Sequence, residues 1–337
     1  MKALIYHGAR DVRVEDVAHR HDPAKVGLRL RYCGVCGTDI GIFSGKHPRA
    51  AAPLVIGHEF VGTVCDPLPE GRFSTGDRVV AYPLISCGNC YPCRNGSPHV
   101  CQTLRLIGID CDGGMAEHVD VPEADLFAIP AALSDEVAAL IEPLAVVVHS
   151  LYKAEFQPFD SCLIMGAGPI GLLTAIVARH AGAGRLLISD IDEARLSICR
   201  ELGFETVNVA RESLAERVAQ VTNGDGMGLI FECSGVASAA IEMSELARVG
   251  GTICVTATHK DAHPVRLIDV NFKELRVIGC RVYTKEDYAR SIDLAVELQD
   301  ELRSIITQIV PLSEAGKVFD MIADPSLTTV KILVDCS

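Results

Sequence analysis

Between residues 161 and 178 the chain carries no charge, a stretch about long enough to suggest a membrane helix. Gly166, Gly168, Pro169 and Gly171 stand in its middle. Such breakers end a helix but suit a strand, a tight turn and a new helix, so the pattern predicts a strand at 163–165 and a helix running to Ala178. Apolar runs at 186–188, 229–231 and 252–255 predict further strands, with helices over 194–202 and 238–249. Strand and helix alternating in this way read as an α/β fold with a doubly wound parallel sheet. The first ~145 residues differ, with short strands, many Gly and Pro and few helical periods, and read as a β-rich, barrel-like domain.

A length of 337 residues, 49% hydrophobic and 22% charged, suits two domains better than one core. Lys and Arg number 31 against 44 Asp and Glu, a formal charge of −13. Nothing global attracts a phosphate backbone or an anionic membrane, so neither nucleic acid nor a membrane is an expected partner. Residues 1–10 place Lys2, His7 and Arg10 around an apolar run too short for a secretory signal, and a cytoplasmic location is expected. Fourteen cysteines are many for a reducing compartment, where metal explains them better than disulfides.

Cys87, Cys90 and Cys93 follow one another at two-residue gaps, and Cys101 comes shortly after. Four thiolates complete a tetrahedral zinc and leave no position for a substrate, while Gly88, Pro92, Asn95, Gly96 and Pro98 supply the turns. This set is expected to be structural. A second set is scattered: Cys33 and Cys36 in one CxxC, His58 and Glu59 after the apolar run 54–56, and Glu142 inside the apolar segment 138–148. An unpaired carboxylate in such a segment is costly, and a metal would resolve the cost. The CxxC by itself is open to a redox pair or to two further zinc ligands. Gly166, Gly168, Pro169, Ile170 and Gly171 form a GxGxxG turn between strand and helix, and Asp190 ends the next strand nineteen residues beyond Gly171. That distance suits an acid on the adenosine ribose; Gly166 allows the tight turn, Gly168 the approach of a pyrophosphate and Gly171 close packing of helix on strand.

On the Cys36 motif, Gly57-His58-Glu59-Phe60-Val61-Gly62, Gly76-Asp77-Arg78-Val79, the four-cysteine lobe and Glu142-Pro143-Leu144-Ala145, the chain resembles the zinc-containing medium-chain dehydrogenases of the sorbitol and threonine dehydrogenase branch. The matching pieces run almost end to end. The resemblance implies a Rossmann domain over 148–283 and a GroES-like catalytic domain over 1–147 and 284–337, with the zinc lobe at 86–102. It implies that Cys36, His58 and Glu142 bind a catalytic zinc and that Glu59 is a neighbouring carboxylate able to replace Glu142 or water. A cysteine, a histidine and a carboxylate leave one position open, as catalytic zinc requires. Cys33 is then a buried small residue, and Asp39 is expected to accept the free ring N–H of His58. Two zinc ions per chain and NAD are the expected cofactors.

The implied activity is reversible hydride transfer between a secondary alcohol and NAD, with Thr38 as first proton acceptor. Asp190 should repel a 2′-phosphate, although Arg195 could face one. Much of the family relays protons through a histidine five residues after the zinc cysteine; that position is Gly41 here, so His47 or solvent is expected to take the role. Leu68, between Pro67 and Pro69, also replaces a common glycine. With glutamate in place of a second cysteine on zinc, the resemblance points to polyols, sugar acids, cyclitols, aminocyclitols or threonine. Lys46, His47 and Arg49 form a basic cluster suited to a carboxylate or phosphate, and Arg281 lies near a position where sorbitol dehydrogenases place a substrate-binding arginine. A homotetramer or homodimer is implied. A non-catalytic zinc and nucleotide binding protein, or a zinc-free quinone reductase, would show a lost ligand, whereas Cys36, His58, Glu59 and Glu142 are all present.

Overall fold

The computed structural model describes residues 1–337 and divides into two units, Met1–Ala145 with Thr284–Ser337, and Val146–Tyr283. The first boundary falls two residues before the expected 147/148, inside helix Ile141–Ala154, which begins in the first unit and continues in the second.

The second unit carries six parallel strands, ordered from Glu205–Asn208 through Arg185–Asp190, Ser161–Met165, Met227–Glu232 and Ala247–Val255 to Arg276–Gly279. Strand order reverses beside Ser161–Met165, the place where such sheets bind dinucleotides. Met227–Glu232 is buried along its whole length, as a central strand covered on both faces must be. Leu163, Leu187, Ile230 and Ile253 fill one core cluster with Met243 and Leu246 from a covering helix. Each such side chain contributes about 1.5–3 kcal/mol by leaving water. Helix Pro169–His180 opens with proline in its first turn, where no N–H is needed, and closes on Arg179 and His180, which suit its carbonyl end.

The helix expected over 238–249 ends instead at Leu246, and the chain passes directly into strand Ala247–Val255. Sheet pairing explains the difference, because Ala247 is registered with Met227 and residues 247–249 enter the strand, while Gly250 at φ +70° allows a bulge whose N–H reaches the Lys273 carbonyl at 2.7 Å. The expected strand 252–255 is the buried end of this longer one.

In the first unit, strands Leu126–Ala128, Arg78–Ala81, Glu59–Asp66, Val26–Gly34, Lys331–Asp335 and Ile306–Pro311 lie side by side, and His118–Val121 also pairs with Val26–Gly34. Two registers matter for function. Gly34 opposes Glu59, and Cys33 opposes both Phe60 and Val334. Residues far apart in sequence therefore meet at the end of one strand. No helix is long and apolar enough to cross a membrane.

Candidate active site

The turn after Val26–Gly34 presents Cys36, which caps helix Gly37–Phe43 and is held by its own N–H, donated to Asp39 Oδ2 at 2.8 Å. The neighbouring strand begins at Glu59, so the antiparallel register sets His58 and Glu59 against that turn. Ligand atoms of Cys36, His58 and Glu59 lie within 4.8 Å of one another. Only glycine fits before His58: Gly57 has φ +98°, and a Cβ there would stand 2.7 Å from Cys33 Sγ and 2.8 Å from Met115 Cγ. Cys33 itself is buried and outside the cluster. Glu142, buried in the first turn of Ile141–Ala154, is not part of that tight group, yet its charge is felt by His58. Burial alone pushes the His58 imidazole down, but Cys36, Asp39 and Glu142 outweigh it and hold the group well above its ordinary value.

Sequence reasoning missed Lys331. Its ammonium ion-pairs with Glu59 Oε2 and donates to the Val35 carbonyl at 3.1 Å, with both charged side chains only 2% exposed. Burial disfavours the charged lysine, whereas Glu59, Cys36 and Glu142 favour it, and the net effect raises its pKa. The legible signal was one cation inside the apolar run 330–334.

Several expectations change. Asp39 does not accept from His58: Asp39 Oδ1 and His58 Nδ1 are both buried without a partner, because the other Asp39 oxygen is committed to the Cys36 N–H. Arg49 is not a free anion site, since its guanidinium binds the Leu104 carbonyl and Asp110 Oδ2, the latter at 3.4 Å. His47 Nδ1 accepts the N–H groups of Arg49 and Ala50 at 3.4 and 3.2 Å, which opposes a second ring proton and disfavours a relay there. Thr38 is half-buried in the first turn of the Cys36-capped helix, a Cβ at Gly41 would meet nothing within 4 Å, and Lys46 and Arg281 are exposed.

In the lobe, the sulfur atoms of Cys87, Cys90, Cys93 and Cys101 likewise lie within 4.8 Å of one another, with Cys90 Sγ 3.3 Å from Cys93 and 3.7 Å from Cys101. Backbone N–H groups of Asn89 and Cys90 draw the Cys87 thiol down to about 6, while Cys93 is pushed up to about 12. Four sulfurs converging this closely suit a shared cation.

The glycine turn is equally specific. A Cβ on Gly171 would stand 1.8 Å from the Gly166 carbonyl oxygen, so helix and strand pack this closely only with glycine. A Cβ on Gly168 would meet only Arg195 Nη1, at 3.9 Å, which leaves open the backbone face that a pyrophosphate needs at the start of Pro169–His180. Asp190 accepts the N–H of Ala167 at 2.6 Å and of Asp192 at 2.9 Å, tying the end of its strand to the glycine turn. Arg195 lies 3.5 Å from Asp192 Oδ2. Glu232, also missed, is fully buried and accepts from Ser234 N–H, Ser234 O–H and Gly235 N–H, with His259 Nε2 at 2.8 Å. It fixes the turn that ends Met227–Glu232.

Residues 22–131 match the alcohol dehydrogenase GroES-like domain, and residues 169–297 match the zinc-binding dehydrogenase domain. The chain is 36% identical to the 2-dehydro-3-deoxy-L-galactonate 5-dehydrogenase of Pseudoalteromonas atlantica, an alignment covering 100% of this chain and 99% of that one. The chain belongs to the zinc-containing medium-chain alcohol dehydrogenases. It is also 34% identical to the L-threonine 3-dehydrogenase of Photobacterium profundum over 87% of each chain. Among solved structures, a Sinorhizobium meliloti chain provisionally classed as a zinc-binding dehydrogenase, with NADP bound, shares 32% identity and a TM-score of 0.92 over 99% of this chain and 98% of its own. The 2R,3R-butanediol dehydrogenase of Bacillus subtilis gives 27% and 0.91 over 99% of each. As in its family, the protein is an oxidoreductase that uses zinc and a nicotinamide cofactor.

Proposed function

We propose that this dehydrogenase reversibly oxidises a secondary hydroxyl of a small polyhydroxylated substrate, whether polyol, sugar acid, cyclitol or aminocyclitol, to the ketone with NAD. The set of half-buried Cys36 with buried His58 and Glu59 carries the reading, because its donors fit zinc and leave a position for a substrate oxygen. Cys36, His58 and Glu142 would hold that zinc, with Glu59 as the alternative carboxylate, and Cys87, Cys90, Cys93 and Cys101 would hold a second. Bound zinc supplies Lewis acidity toward the substrate oxygen, and the nicotinamide accepts hydride. Thr38 takes the hydroxyl proton and passes it to solvent, since Gly41 offers no side chain and His47 faces two N–H donors. Elemental analysis should find two zinc ions per chain.

Asp190 favours NAD by opposing a 2′-phosphate, while Arg195, close to the phosphate turn, argues the other way. Turnover efficiency with the two nicotinamides decides between them, and a preference for NADP would show that Arg195 governs the pocket. The family likeness also supports a homodimer or homotetramer, for which sedimentation at micromolar concentration is the check.

Polyols, aldonates, cyclitols, aminocyclitols and threonine, each offered with NAD and followed by absorbance of the reduced cofactor, test the substrate class. A second reading, an amino-alcohol dehydrogenase acting on threonine, is favoured by the Photobacterium relative. Turnover of threonine alone would establish it, and activity confined to unfunctionalised primary alcohols would reject both.

A further inference from the structure

Three cysteines outside the zinc sets, Cys233, Cys254 and Cys280, cluster at the carboxyl ends of adjacent strands in the second unit. Phe231 pairs with Cys254, and Cys254 with Ile278. Side chains alternate along a strand, so Cys233 and Cys280, each two residues past a registered partner, fall on the same face as Cys254. Both continue the ladder: Cys233 N–H donates to the Met165 carbonyl at 2.9 Å and Cys280 N–H to the Val255 carbonyl at 3.0 Å. Ser150 of helix Ile141–Ala154 covers this face, its Oγ 3.1 Å from Cys280 Sγ and its carbonyl 3.9 Å from Cys254 Sγ.

The pair is chemically unequal. Cys254 is fully buried and its thiol donates to the Ser150 carbonyl at 3.9 Å, whereas Cys280 is partly exposed and accepts from the Ser150 O–H at 3.1 Å. The neighbouring Cys254 thiol, with Ser150, His149 and Lys153, draws the Cys280 thiol down to about 7 against the cost of burial, while Cys254 is pushed up. Cys280 is therefore the more acidic and the more exposed of the two, with the protonated Cys254 thiol on the same face of the sheet.

We propose that Cys280 and Cys254 form a peroxide-reactive dithiol, with Cys280 as the attacking sulfur and Cys254 as the resolving one. The Cys280 thiolate attacks one oxygen of hydrogen peroxide, an S–O bond forms as the O–O bond breaks, and the hydroxide released takes up a proton to become water. The Cys254 sulfur, giving up its proton, then displaces hydroxide from the sulfenic acid, and a second water leaves. The two thiols lose two electrons and the peroxide gains them. Because Cys254 is registered with Ile278, two residues before Cys280, closing an S–S bond draws the segment after Gly279 toward Val255. Those residues end the half of the sheet opposite the Asp190 half, so oxidation weakens cofactor binding; this consequence rests on the nicotinamide reading of the turn, whereas the thiol chemistry does not.

The zinc-loaded full chain is treated with graded hydrogen peroxide, with and without saturating reduced nicotinamide, and each cysteine is mapped by alkylation and peptide mass spectrometry. Cys254 and Cys280 should lose labelling together, before any zinc cysteine, and appear as one linked peptide that dithiothreitol releases. Bound cofactor should slow the loss at least tenfold, and oxidised protein should bind reduced cofactor at least tenfold more weakly. Cys254→Ser should leave a sulfenic acid at Cys280 that dimedone traps, and Cys280→Ser should leave Cys254 unoxidised. The proposal fails if both thiols stay labelled at doses that oxidise the zinc cysteines, a result read in the unmutated protein. A linked pair with unchanged cofactor affinity would keep the dithiol and overturn its coupling to the cofactor.

Discussion

Lys331→Met removes the cation that pairs with Glu59 while keeping most of the buried volume. Removing one partner of a buried ion pair costs about 3–5 kcal/mol, because the remaining charge stays buried and unpaired. The Val35 carbonyl also loses its 3.1 Å donor, a smaller loss of about 1 kcal/mol that sits within the same range. An unfolding entropy of about 2.1 cal/mol/K per residue over a unit of roughly 200 residues gives ~0.4 kcal/mol/K, so the transition of that unit should fall by ~7–12 °C. Scanning calorimetry of the zinc-loaded protein measures the shift. Adding Glu59→Gln to the variant should recover more than half of it, since two neutral groups replace one stranded charge. The pH dependence has a definite sign: the folded pKa of Lys331 lies above its ordinary 10.5, so its stabilisation is complete below that value and lost only as pH rises through the raised one. The gap between parent and variant should therefore not shrink as pH rises from about 6 to 9. A shift under about 2 °C, or a double variant no better than the single one, would refute the buried pair.

Cys36→Ser should lose one zinc per chain and all turnover while keeping its fold, whereas Cys93→Ser should lose the other zinc and chiefly lower the unfolding midpoint; metal analysis beside calorimetry separates them. Gly171→Ala forces a methyl against the Gly166 carbonyl and should weaken binding of reduced cofactor by at least ~100-fold in a fluorescence titration, an unchanged affinity counting against the close turn. Asp120 holds His21 above its ordinary 6.5, so this pair stabilises the fold fully below that value and less as pH rises through the raised one. Asp120→Asn should return the His21 titration, followed by NMR, toward 6.5, and an unmoved titration would contradict the contact.

What the sequence made legible was local chemistry. The glycine turn, Asp190 and the four-cysteine lobe each lie within a short run whose spacing carries the physics. Cys36 and His58 are another matter, because they meet through the register of Val26–Gly34 on Glu59–Asp66, which no periodicity encodes, and only family resemblance joined them beforehand. The Lys331 to Glu59 pair spans 272 residues and depends on the last strand returning to the first sheet. The helix expected over 238–249 ran three residues too far because apolar spacing does not show the sheet pairing that takes Ala247 into the strand. Arg49 looked available because an exposed basic cluster says nothing of an acid such as Asp110 that comes to meet it.

Within residues 87–101 the only fully buried side chain is Cys101, and Tyr91 is 70% exposed. A segment with no apolar interior has no reason of its own to stay closed once metal is withdrawn. If the four sulfurs hold zinc as proposed, the lobe would be a gauge of metal supply: in a zinc-starved cell its backbone, with Arg94 among the exposed positions, would be the part offered first to proteases. The same poverty of packing frees its remaining positions to drift, so the identity of this lobe over evolutionary time rests on four sulfurs and a few turns.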